Sequence, residues 1–290
     1  MNCLRDLLVN AIDYAGLFPP AGLGMEAAAK NYAAYRSGPD RWALGRFIVP
    51  VARLAELESA AASLLTPGEP WPLSVLGGAD LAADLRAIAS FRDRRRDARI
   101  ASLELKASSP AEVAKAAEQI KGSVETFFEI PLADASIPLL DAIHGARARA
   151  KIRTGGTQAG SIPPADQVAR FLELANQRVA FKATAGLHHP VRCVRPLTYE
   201  ASSPKELMHG FVNVFLAAAF VRNGGAGKDL RELLEEQEPA SFKVGASEVS
   251  WRNHKVARKE LAQTHVDFIL SFGSCSFDEP IRELKEIGFL

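Results

Sequence analysis

Lys182 stands mid-run in Phe181-Lys182-Ala183-Thr184, an extended-looking stretch that ends in Ala185-Gly186-Leu187-His188-His189-Pro190. Side chains alternate along a strand, so Lys182 and Thr184 share one face, and the glycine and paired histidines follow where the strand must stop. Charges interrupt other β-rich runs in the same way. Glu104 and Lys106 share a face of one, Glu129 lies in the next, Lys151 and Arg153 share a face of a third, and Lys243 interrupts a fourth. A strand buried on both sides ordinarily reads as continuous Val, Ile and Leu, so each interruption calls for pairing or chemistry.

Lysine attacks a carbonyl only as the free amine. Burial and neighbouring cations can bring its pKa from about 10.4 toward roughly 7. Lys151, Arg153 and Lys243 lie on the runs flanking Lys182, which makes Lys182 the candidate nucleophile. Glu129 or Glu104 is then the general base and Thr184 an orienting hydroxyl. Five cations (Lys106, Lys151, Arg153, Lys182, Lys243) stand against two anions (Glu104, Glu129), which predicts a positive mouth that prefers a small carboxylate or phosphate compound. The expected binding set is Arg153 with the amides of Gly155 and Gly156, together with Lys106, Lys243, His188, His189 and Arg192.

Lys182-Ala183-Thr184-Ala185-Gly186 resembles the Lys-x-Ser/Thr-x-Gly stretch around the Schiff-base lysine on the sixth strand of deoxyribose-phosphate aldolases. Phe242-Lys243-Val244-Gly245 loosely resembles their seventh-strand lysine, although Ala246-Ser247 replaces the Gly-Gly that follows it in that family. The likeness covers about ten of 290 residues. It implies a class I lyase in which Lys182 forms an imine with an aldehyde or ketone and no cofactor is required.

Two other readings fit the same residues. His188, with Glu104 and Glu129 across the mouth, could hold a divalent metal ion for enolate chemistry or sugar isomerisation. Alternatively the barrel is a non-catalytic binding or assembly module, with an apolar helix over Pro204 to Asn223 as a homo-oligomer interface.

The elements that must position these groups follow from spacing. Eight β-rich runs begin at residues 47, 73, 100, 126, 150, 179, 241 and 268, separated by 26, 27, 26, 24, 29, 62 and 27 residues, and helical patterns lie between them. Such spacing predicts βα units and a single (β/α)8 barrel over residues 46–290, with a helical insertion at about 188–238. Residues 1–45 read as an arm packed on the barrel, although Ala11 to Pro20 could instead supply the first stave, with Asp13 at its end. Ser109-Pro110-Ala111-Glu112 and Ser203-Pro204-Lys205-Glu206 each carry the signature of a helix start, as does Ser276-Phe277-Asp278-Glu279. The stretch from His188 to Ser203 reads as an irregular lid.

Composition bounds the partners. A net charge of +1 from 35 basic and 34 acidic residues gives no global attraction to nucleic acid or an anionic membrane. Cys3, Cys193 and Cys275 form no CxxC pair, which predicts reduced thiols and a cytoplasmic setting. The longest apolar run, Phe211 to Val221, is too short to span a bilayer.

Overall fold

In the computed structural model, which describes residues 2–65 and 68–290, strand and helix alternate almost from the first residue. The order opens with α1 (Leu4–Leu8), β1 (Ile12–Tyr14), α2 (Met25–Ser37), β2 (Leu44–Pro50), α3 (Leu54–Ala60), β3 (Trp71–Leu76), α4 (Leu81–Arg94) and β4 (Ala98–Lys106). It continues with α5 (Pro110–Ile120), β5 (Glu125–Glu129), α6 (Ile137–Gly145), β6 (Arg149–Arg153), α7 (Ala165–Ala175) and β7 (Phe181–Thr184). A hairpin of β8 (Cys193–Pro196) and β9 (Lys205–Met208) follows, then α8 (Phe211–Arg222) and α9 (Gly227–Glu235). Next come β10 (Phe242–Val244), β11 (Glu248–Trp251) and β12 (His254–Ala257), and the chain ends with α10 (Arg258–Asp267), β13 (Ile269–Ser274) and α11 (Asp278–Glu286).

Eight strands close a barrel in the order β1-β13-β7-β6-β5-β4-β3-β2, and each pairing is parallel. This is the (β/α)8 architecture expected from the spacing, with one stave exchanged. Residues 12–14 are not part of an arm: β1 lies between β13 and β2, with Asp13 opposite Gly273. Three residues are too few to show a period. Burial holds them in place, since Tyr14 packs against Tyr32 and Tyr35 of α2 and against Phe47.

The run from Ser241 to Ala246, taken as the seventh stave, lies outside the barrel. Its β10 pairs antiparallel with β11 in a separate three-stranded sheet, and Lys243 is exposed there. Counted from β1, Lys151 therefore stands on the sixth barrel strand and Lys182 on the seventh.

The insertion also differs from expectation. Lys205 to Met208 form a strand rather than a first helical turn, and Ser203 Oγ accepts from Thr198 N at 2.8 Å inside the hairpin. Helix α8 starts later, where Phe211 N and Val212 N donate to His189 O and Pro190 O. Every residue from Phe211 to Ala219 is buried, and Phe211 stacks on Phe272 of β13 with ring centroids 4.8 Å apart. With α9 packed beside it, α8 belongs to the core of the fold. The start signatures at Ser109 and Ser276 do open helices, with each hydroxyl accepting an amide of the first turn.

Candidate active site

Alternation along each strand sends charged residues into the barrel axis, where they meet in a chain of ion pairs. Lys151 and Lys182 stand opposite each other in register on β6 and β7, so two ammonium groups arrive side by side. Glu104 on β4 answers both: its Oε1 lies 2.8 Å from Lys182 Nζ and its Oε2 2.7 Å from Lys151 Nζ. The chain continues below to Asp13, whose Oδ2 lies 2.5 Å from Lys182 Nζ, and above to Glu129, whose Oε2 lies 2.7 Å from Lys151 Nζ. Arg153 stands 4.0 Å from Glu129 at the rim.

Hydroxyls and amides complete the carboxylates, as buried charges require. Ser74 donates to Glu104 at 2.5 Å, Ser271 donates to Asp13 at 2.8 Å, and the Arg46 amide donates to Asp13 at 2.7 Å. Gly45 is needed here because a Cβ would stand 2.4 Å from Asp13 Oδ1. Beneath this ladder, the ring of Phe127 has the Lys182 ammonium and the Arg46 guanidinium each 5.5 Å from its centroid. Arg46 and Arg149 share Glu125 below it, each at 2.6 Å.

Burial disfavours the Glu104 carboxylate, but Lys182 and Lys151 more than offset this and hold its pKa well below the usual carboxylate range. Burial likewise opposes the Lys151 ammonium, and Glu104 and Glu129 outweigh it, so its pKa is raised. Lys151 thus holds its proton through carboxylates rather than losing it to burial and neighbouring cations. Lys182, with a side chain 1% exposed, is enclosed by Asp13 and Glu104.

A cavity of about 350 Å³ opens above the ladder, and Lys151, Glu104 and Glu129 line it while Lys182 does not. Lys106, Arg153, Thr184, Gly156 and His188 contribute to the walls, so most of the residues expected at the site do converge. The stretch from Phe18 to Pro20, which no helix could pass through, supplies part of the rim. The hairpin that replaces the expected irregular lid brings Leu197 and Met208 to the same opening.

Other expected members lie elsewhere. Lys243 is on the outer sheet. Gly155 is buried against Gly186, whose Cα would be 3.0 Å from a Cβ at Gly155, so of the glycine pair Gly156 alone lines the cavity. Arg192 donates from Nη1 to His209 Nδ1 at 3.0 Å. The other nitrogen of His209 lies 2.8 Å from Pro163 O, which fixes the neutral Nε2–H tautomer. Burial pushes His209 down to about 4.

The paired histidines diverge. His188 turns toward β13, with Nδ1 3.3 Å from Ser274 Oγ and 3.9 Å from Cys275 Sγ, and burial pushes it down to about 4. It does not join Glu104 and Glu129, whose oxygens engage lysines, so those three residues make no ligand set. His189 turns to α11, where Nδ1 lies 2.9 Å from Glu283 Oε2, with Glu279 beside them. Alternation within strands reveals the ladder's upper members. Asp13, Ser74, Ser271, Glu279 and Glu283 have no such signal, although the last two do carry a four-residue helical spacing.

All three cysteines are free, and no helix among the described residues is long and apolar enough to cross a membrane. No protein-family model matches this chain, and no curated protein matches it.

Proposed function

We propose that the chain is an enzyme that takes a small carboxylate or phosphate compound bearing a carbonyl group into the barrel mouth. There it moves a proton at the carbon beside that carbonyl, the step shared by aldol-type lyases and isomerases. The observation that carries this reading is Lys151 Nζ at the cavity floor, 2.7 Å from both Glu104 and Glu129. An ammonium held there donates a hydrogen bond to the carbonyl oxygen and stabilises the charge that grows on it, while Glu129 accepts the carbon-bound proton. Glu104, Lys182 and Asp13 fix the ammonium in place.

The substrate's anionic group meets Arg153, Lys106 and the Gly156 amide. Four cations (Lys106, Lys151, Arg153, Lys182) face three carboxylates (Asp13, Glu104, Glu129), an excess of one positive charge.

A lysine imine is the second reading, and it belongs to Lys151, because Lys151 lines the cavity and Lys182 does not. Its first step passes the Lys151 proton to Glu129, leaving the amine free to attack the carbonyl carbon.

One experiment separates the readings. The protein is incubated with a panel of 2-oxo acids and sugar phosphates in heavy water, and deuterium uptake beside the carbonyl is followed by NMR. A parallel sample receives borohydride and is mapped by mass spectrometry. Uptake without a covalent adduct is the expected result, and an adduct on Lys151 moves the chemistry to the imine. An adduct on Lys182 would refute this assignment of roles. Neither uptake, adduct nor thermal stabilisation by any panel member would leave a binding or assembly module.

A further inference from the structure

We propose that His189, Glu279 and Glu283 bind a divalent first-row transition-metal ion, with zinc the best match to the donors, at a site beside the mouth that shares no residue with the lysine–glutamate ladder.

The backbone after β7 sets this up. Ala185 and Gly186 both take left-handed conformations, with φ of 58° and 77°, and the turn they make sends the two histidines in different directions. His188 lines the cavity, and His189 reaches α11. Glu279 and Glu283 lie one turn apart on that helix, so they project from the same face. One donor atom from each of His189, Glu279 and Glu283 lies within 4.8 Å of the others, the one such group of His, Cys, Asp or Glu residues among the described residues. Tetrahedral zinc, with bonds of about 2.0–2.2 Å, holds its donors roughly 3.3 Å apart, so small side-chain rotations suffice.

Charge favours an ion there. The side chains are 7% (His189), 19% (Glu279) and 14% (Glu283) exposed, so two carboxylates share a nearly dry crevice. Among the described residues their ion-pair partners are the two histidines, with no lysine or arginine within 4 Å, and Arg282 between them pairs outward with Glu286. A divalent cation offsets both negative charges.

The surroundings fit ligand duty as well. Tyr199 donates to Glu279 Oε2 at 3.4 Å, the kind of outer contact that orients a carboxylate ligand. His188 Nδ1 stands 3.6 Å from the same oxygen. Three protein ligands with a position left over is the pattern of a reactive rather than a purely structural zinc.

The test uses the full chain, stripped by a chelator, dialysed, and titrated with Co²⁺ as an optical probe and then with Zn²⁺ as competitor. The expected result is one equivalent of Co²⁺ per chain, with visible ligand-field absorption that Zn²⁺ abolishes. H189Q and E283Q should each weaken binding by more than the roughly 10–100-fold that loss of an outer partner causes. K243M, exposed on the outer sheet and outside both sites, should bind as the unaltered chain does. Should H189Q or E283Q fail to fold by circular dichroism, E279Q carries the same expectation while keeping the His189–Glu283 contact. No saturable binding by the folded chain would overturn the proposal and leave the cluster as a clasp for α11. Binding that is unchanged in the folded variants would overturn it too.

Discussion

Held between Glu104 and Glu129, Lys151 ties the stability of the barrel to pH at both ends of the scale. In the unfolded chain Glu104 takes up a proton near its ordinary 4.5, while in the fold it stays ionised to lower pH. The stability it provides is complete above that value and falls as pH falls below it. The raised Lys151 works the other way, with its contribution complete below 10.5 and lost as pH rises through the folded value. Glu104→Gln should therefore flatten the dependence of the urea midpoint on pH below about 4.5 and leave its shape above that unchanged. His188, His209 and His265 all have lowered pKa values because of burial, so the unfolded chain protonates first, near 6.5. The midpoint should thus begin to drop as pH falls through about 6.5, ahead of the carboxylates, and a level curve between 6.5 and 4.5 would show that these imidazoles are not held neutral. Lys151→Met removes the cation shared by Glu104 Oε2 and Glu129 Oε2, and denaturant titration should register a loss of about 3–5 kcal/mol.

At the scale of elements, the loops after β6 and β7 lie back to back and touch through glycines. A Cβ at Gly186 would come within 3.0 Å of Gly155 Cα and 3.3 Å of Thr154 O, at a φ of 77° that L side chains resist. Gly186→Ala should destabilise by about 1–3 kcal/mol and, by moving Gly156, weaken anion binding as read by thermal shift. None of this contact is visible in the sequence, where both glycines read as turn residues. What was legible were groups whose signal lies within one element. Glu104 with Lys106, Lys151 with Arg153, and Lys182 with Thr184 show their shared faces through alternation alone. Their partners were not legible, because Glu104 meets Lys182 and Lys151 only through the register of four strands. The start signature at Ser203 misled for a related reason: its hydroxyl closes a hairpin once Lys205 to Met208 find β8 as a partner.

Taken whole, the barrel was readable from the recurrence of its βα units, and seven of its eight staves lie where that spacing puts them. The eighth was legible only as an alternative to an arm, because β1 is three residues long and carries an aspartate at its centre. That aspartate ends the ladder, so closure of the sheet and burial of the last charge are a single event. Deleting residues 2–16 should expose the edges of β13 and β2 and leave Lys182 without Asp13. The expected outcome is a chain that aggregates on size exclusion and melts without a cooperative transition. A monomer with a sharp transition would mean that seven strands hold the fold. The same closure sets a timetable. Ile12 to Tyr14 leave the ribosome 260 residues ahead of Phe272 to Ser274, the strand they pair with. At roughly 5–20 residues per second the wait is on the order of 10–50 s. Throughout it the nascent chain is an open sheet with two bare edges and an unmatched charge. Translation that halts before Phe272 therefore yields not a slightly shortened barrel but an unclosed sheet, material for chaperones and proteases.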